Sequence, residues 1–330
     1  MKLAPGHASH FAFALLAALC QTTIAGDHVF SVKDGRTMLD GKPFLVAGLR
    51  VSNALISDEA ADQLIANLDA FKSYGVNTVS VFFMGSRFGD VKGYRQDGSP
   101  DPVYAARMGR IIEAADKRGM IVLAGCLYWS TSRAKWESWT QREANAAVSA
   151  TARWLERHNY RNVFIDVDNE GMALKEAGFD NRQLVLAAKR AAPSVVVGTN
   201  YKDQPPPEAD LALHFSERAP GKPYIQSEGS PSVTPLTGAN SGYWGRYSKQ
   251  DGLYQYINIG VYTPEMKRAQ IEDTRRHLRR GEGYIMASTW LQCVPPAGPN
   301  HTPGGQGTRE SPGIRWWLES LREILSGLGR

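Results

Sequence analysis

Apolar and polar positions along this chain follow two rhythms that take turns. After an opening broken by two Asp-Gly pairs, "FSVKDGRTMLDGKPFLVAGLRV", the apolar run from Phe44 to Val51 predicts a buried strand. "DEAADQLIANLDAFKSYG" then has helical apolar spacing, with Gly75 as its C-terminal stop, and "VNTVSVFF" predicts the next strand. The pair recurs as helix "DPVYAARMGRIIEAADKRG" and strand "MIVLAGCLYW", helix "REANAAVSATARWLERHN" and strand "NVFIDVDNE", helix "NRQLVLAAKRAA" and strand "SVVVGTN". Two strands, "ADLALHF" and "KPYIQSE", follow with no clear helix between them. A long loop, the helix "PEMKRAQIEDTRRHLRRG", the strand "YIMASTW" and the amphipathic helix "GIRWWLESLREILSGLG" complete the chain.

Helices stopped by Gly or Asn and followed by apolar strands are the pattern of a parallel sheet. Eight such strands in one chain of this length predict an α/β fold, a single (β/α)8 TIM barrel. A doubly wound sheet fits less well, because no G-x-G-x-x-G follows the first strand. There is no internal repeat, and "QPPPE" is a loop rather than a linker.

The first residues stand outside that alternation. "MKLAPGHASHFAFALLAALCQTTIAGD" joins a basic start at Lys2 to an apolar run and a small-residue finish before Gly26. This predicts a signal peptide over 1–25, too short to span a membrane, ahead of one catalytic domain over 26–330. The mature protein is then expected to be secreted or periplasmic. Its 38 basic residues less Lys2 leave 37 against 33 acidic ones, a mild balance that gives no reason to expect nucleic acid. Cys20 leaves with the signal; Cys126 and Cys293 are far apart and are expected to be two buried thiols. "NHT" at Asn300 fits a glycosylation sequon, relevant only in a eukaryotic source.

The candidate chemistry lies at strand ends. In a TIM barrel residues from different strands converge at the C-terminal face. Glu170 ends the fourth strand and Glu228, in "YIQSEGS", ends the seventh. Two carboxylates facing one another across a cleft are what glycosidic hydrolysis needs, one to protonate the leaving oxygen and one to attack or to activate water. Asp166 and Asp168 alternate with Glu170, so period two would set all three on one face, the two Asp forming a polar layer beneath the site. No His or third ligand is placed to make that ladder a metal site.

The chain resembles the clan A retaining glycoside hydrolases, close to the cellulase-like family five type, in "VDNE" at the fourth strand, "GKPYIQSEG" at the seventh and "GYIMASTW" at the eighth. The resemblance implies that Glu170 is the general acid/base, that Asn169 touches the sugar 2-hydroxyl, that Glu228 is the nucleophile and that Trp290 lies beneath the sugar. His214, in "LALHFSE", matches the family's frequent His, while Phe215 and Ser216 follow where a Tyr is often found. Ser80, in "NTVSV", stands where the family usually carries an Arg, and Arg50 at the end of the first strand is the candidate replacement.

Aromatic residues suit the apolar faces of sugar rings. Tyr128 and Trp129 end the third strand, Trp136 and Trp139 follow in its loop, and Trp244 and Tyr247 lie in the aromatic loop after the seventh, making Trp129 and Trp244 substrate-binding candidates. Trp316 and Trp317 have helical spacing with apolar partners and are expected to pack. The sequence thus predicts a retaining glycosidase acting as a monomer on a β-linked poly- or oligosaccharide, with no cofactor, metal, nucleic acid or membrane. The alternatives are a carbohydrate-binding barrel without turnover and another type of hydrolase, the latter lacking a G-x-S-x-G elbow.

Overall fold

The computed structural model describes residues 26–85, 91–129, 136–229, 246–250, 253–257, 262–287, 304–311 and 313–329, with 246–250 and 253–257 as backbone alone. The expected signal peptide therefore lies outside the described residues. Eight parallel strands close a barrel: β4 (Ala47–Arg50), β5 (Thr78–Phe82), β6 (Ile121–Leu127), β7 (Val163–Asp168), β8 (Val196–Thr199), β9 (Leu211–Leu213), β10 (Tyr224–Gly229) and β13 (Gly283–Met286), which pairs back onto β4. This is the (β/α)8 architecture expected, and the β8–β9–β10 run has no intervening helix.

The outer helices are α1 (Asp58–Ser73), α2 (Pro102–Asp116), α3 (Gln141–Arg157), the short α4 (Met172–Ala177), α5 (Asn181–Ala191), α6 (Pro264–Arg279) and α7 (Arg315–Gly327). Their starts are set by local chemistry. Ser57 caps α1 by accepting from the Ala60 N–H, Asp101 precedes Pro102 at the start of α2, and Thr140 with Glu143 forms a capping box on α3. Each helix then buries one stripe on the barrel, as Ala61, Leu64, Leu68 and Phe71 do in α1. Among the described residues no helix is long and apolar enough to cross a membrane.

The opening Asp-Gly pairs make a separate antiparallel sheet of β1 (Phe30–Lys33), β2 (Arg36–Leu39) and β3 (Lys42–Pro43). The Phe30 N–H donates to the Arg161 carbonyl just before β7, so this sheet covers the N-terminal end of the barrel. The segment expected as an aromatic loop contains a hairpin, β11 (Arg246–Gln250) with β12 (Leu253–Ile257). Trp317 is buried and donates from its indole to Thr274, docking α7 on α6, and Trp316 packs on Tyr262, as their spacing implied.

Candidate active site

Strand β7 ends at Asp168, two residues short of Glu170, so the period-two ladder does not reach the glutamate. A single 3-10 turn, Asn169–Gly171, follows, with Glu170 at φ 55° and Gly171 at φ 60°. Left-handed backbone is uncommon for a side chain as long as Glu and marks a residue held by its surroundings. Asp168 explains the turn. Its buried carboxylate accepts the N–H groups of Ala173 and Leu174 and the Asn181 amide, capping α4 instead of facing the cleft. Burial outweighs those donors and pushes its carboxyl up to about 7.

Glu228 arrives by a different device. The register of β10 against β13 shifts between Gln226 and Gly229, a bulge of the kind that re-aims side chains near sites. Glu228 Oε2 then lies 3.2 Å from Arg50 Nη2. Arg50 is fully buried; its Nη2 also donates to Asn169 Oδ1 at 2.9 Å and its Nη1 to the Ser227 carbonyl at 3.4 Å. The guanidinium sits 4.6 Å from the centre of the Phe82 ring, and that ring occupies the space a side chain at Gly125 would need. A buried cation facing a buried carboxylate compensates its charge where water cannot. Arg50 is in register with Ser80, so the cation is supplied from the strand beside the one where the family usually carries it.

The second carboxylate has other partners. Glu170 Oε1 lies 3.6 Å from His214 Nε2, while His214 Nδ1 bonds Gln226 Oε1 at 2.6 Å. His214 is also left-handed, at φ 37°. Burial would raise the Glu170 carboxyl, but His214 and Arg50 outweigh it and hold the group below the ordinary range. Burial would likewise lower His214, and the facing Glu170 and Glu228, with Gln226, instead raise it above its usual value. Proton sharing therefore belongs to the His214–Glu170 pair as a unit.

Beneath them Asn169 Oδ1 accepts from both Arg50 and Asn200, leaving its buried Nδ2 without a partner. Asn200 also donates to Asp166, whose carboxyl burial pushes up to about 6. Asp166 thus belongs to the expected polar layer and Asp168 does not. One ligand atom from each of Glu170, His214 and Glu228 lies within 4.8 Å of the others, a trio different from the aspartate ladder considered above.

The aromatic expectations fare unevenly. Trp129 is buried and packs at 5.9 Å on Trp139 and 5.0 Å on Phe179, and Trp136 packs on Trp139, so these indoles form a stack under the rim instead of offering a face to a sugar. Tyr128 is buried against Phe82, 5.8 Å from the Arg50 guanidinium. Trp244, Trp290, Cys293, Asn300 and the Tyr247 side chain lie outside the described residues; Cys126 is a buried thiol raised to about 12 by burial. Sequence reasoning missed Gln226, Asn200 and Lys175, the last donating to the Glu170 carbonyl at 2.7 Å. Only Asn200, a polar residue ending an apolar strand, carried a signal.

No family model and no curated protein matches the sequence. Solved structures do. A glycoside hydrolase family 5 protein from Bacteroides vulgatus aligns at TM-score 0.56 and 16% identity, over 92% of this chain and 71% of that one. The barrel has the fold of glycoside hydrolases. A β-glucanase from Saccharophagus degradans, solved with cellotetraose, aligns at 0.53 and 12% over 92% and 95% of the two chains. An exo-β-1,4-mannosidase from an Opitutaceae bacterium aligns at 0.56 and 14% over 90% of this chain, which spans 62% of that enzyme's length. At such identities the likeness is one of fold.

Proposed function

We propose that the protein is a retaining glycoside hydrolase acting on a β-linked poly- or oligosaccharide. The observation that carries this is the meeting of Glu170 and Glu228, from the ends of the fourth and seventh barrel strands, with carboxylate oxygens within 4.8 Å. Retaining enzymes hold their carboxyl groups about 5 Å apart, whereas inverting enzymes leave roughly 6.5–9.5 Å for a water. The unlike partners of the two groups fit unlike roles.

In the first step a Glu228 oxygen attacks the anomeric carbon as the bond from that carbon to the leaving oxygen breaks. The leaving oxygen takes the proton held by the His214–Glu170 pair. In the second, Glu170 takes a proton from water, the water oxygen bonds to the anomeric carbon, and the bond to Glu228 breaks. A sugar filling the cleft removes remaining water from Glu170 and so favours its protonated form. The unpartnered Asn169 Nδ2 can donate to a ring hydroxyl. Export through residues 1–25 and action as a monomer without a cofactor belong to the same reading.

Proton NMR of the first product formed from a substrate of known anomeric configuration tests the mechanism. Retained configuration supports double displacement; inverted configuration rejects it. Sugar binding without any hydrolysis would favour the carbohydrate-binding alternative.

A further inference from the structure

His214 is clamped from a single strand. Three consecutive residues of β10 hold it: the Ile225 carbonyl accepts its N–H at 3.0 Å, the Tyr224 hydroxyl donates to its carbonyl at 2.6 Å, and Gln226 Oε1 meets its Nδ1 at 2.6 Å. These contacts fix a backbone at φ 37°, where a side chain of this size rarely rests unaided. The same strand carries Glu228, two residues beyond Gln226.

The Gln226 side chain decides which ring nitrogen bears hydrogen. An amide end can be turned either way, so its orientation has to come from a partner whose role is fixed. The Glu228 backbone N–H is that partner: it can only donate, and it does so at 3.3 Å to the same end of Gln226 that meets His214. That end is therefore the carbonyl oxygen, which only accepts, and His214 Nδ1 has to be the donor. With hydrogen fixed on Nδ1, the neutral ring turns the lone pair of Nε2 toward Glu170 Oε1, 3.6 Å away. A carboxylate and a lone pair repel unless a proton lies between them.

We propose that Gln226 is a positioning residue for the reaction: by holding His214 in its Nδ1–H form it makes Nε2 and Glu170 share a single proton, and through the same oxygen it ties that histidine to the backbone of Glu228. The proposal deepens the retaining reading above and rests on it for the direction of proton movement. When the leaving oxygen takes the shared proton, Glu170 is left as a carboxylate facing the Nε2 lone pair of a neutral ring. This empty pair draws a proton from the attacking water in the second step, so the pair ends the cycle as it began. Gln226 itself touches no reacting atom.

Gln226→Met keeps the side-chain length and removes the acceptor, whereas Gln226→Glu keeps an acceptor oxygen. Nitrogen-15 NMR of the imidazole, with His214 assigned by loss of its signals in His214→Gln, reads the tautomer without any substrate. The neutral ring is expected to carry its proton on Nδ1 in the wild type, to shift it to Nε2 in Gln226→Met, and to return it to Nδ1 in Gln226→Glu. Gln226→Met is also expected to lower kcat/KM on an unactivated oligosaccharide about tenfold more than on a dinitrophenyl glycoside of the same glycone, whose leaving group needs no proton. Gln226→Glu should restore most of that difference. An Nε2–H ring in the wild type, an Nδ1–H ring persisting in folded Gln226→Met, or equal losses on both substrates would overturn the proposal. If the wild type cleaves no glycoside the retaining reading fails by itself, and the imidazole spectra still decide whether Gln226 sets the tautomer.

Discussion

The two ends of the barrel differ in how many buried polar atoms they leave unpaired. At the N-terminal end Phe30 packs on Phe164 and Phe44 at 5.2 and 6.3 Å, and the buried Asn162 Nδ2 donates to two backbone carbonyls while its Oδ1 is buried without a partner. At the C-terminal end Glu170 and His214 sit in left-handed backbone, β10 bulges beside Glu228, and Ser80 Oγ, Asp166 Oδ1, Asn169 Nδ2 and Ser227 Oγ are buried without partners. Buried polar groups are normally bonded and backbone normally relaxed. At the C-terminal end these lapses cluster around two carboxylates, where polar atoms are held ready for something outside the chain, while the other end holds the barrel closed.

Substitution at each end should therefore damage different things. Phe30→Ala is expected to cost about 3–5 kcal/mol of stability, as large-to-small core changes do, with kcat/KM of the folded fraction nearly unchanged. Arg50→Met takes the guanidinium away from the buried Glu228; it should cost about 3–5 kcal/mol and abolish turnover as well. Denaturant unfolding beside activity assays measures both, and a Phe30 variant that lost turnover while folded would break the contrast.

The buried carboxylates give the next largest effect. Asp166 is raised to about 6 from 3.8, chiefly by burial, so the native state binds its proton more tightly than the unfolded chain does. That contribution is full below the unfolded value and is lost as pH rises through the folded one. Wild type should lose up to about 3 kcal/mol relative to Asp166→Asn between pH 4 and pH 7. Thermal or urea unfolding of both proteins across that range is the check, and parallel curves would refute it. The same sense holds for Asp168, through about 7.

Smaller effects sharpen the picture at the site. Because His214 is raised above 6.5 by Glu170 and Glu228, activity should fall only as pH passes that raised value and the pair loses its proton. His214→Gln should move this limb of the kcat/KM profile to lower pH; an unmoved limb would assign the proton elsewhere. Least of all, Ser80→Ala removes a buried hydroxyl that has no partner and should raise stability by up to about 1 kcal/mol, read from the denaturant midpoint.

Much of this was legible in the sequence, for physical reasons. Apolar runs and helix stops betray a parallel barrel because burial and capping are local in sequence, and the same logic identified Glu170 and Glu228 as strand-end carboxylates. What escaped depends on geometry that periodicity does not encode. A left-handed turn diverts Asp168 to cap α4, and the bulge at Ser227–Glu228 lies in a strand whose letters look regular. Gln226 and Lys175 act through partners distant or offset in the chain. Trp129 misled because a tryptophan packed beneath a rim and one facing a sugar have the same neighbours in sequence.

The most direct measurement is reducing-sugar release from β-glucans, mannans, xylans, galactans and chitosan by the wild type beside Glu228→Gln and Glu170→Gln. The expected result is release from one substrate class by the wild type and a loss of roughly three orders of magnitude or more in each variant. Full release by either folded variant, or none by the folded wild type across the panel, would contradict the assignment of these two carboxylates as a catalytic pair.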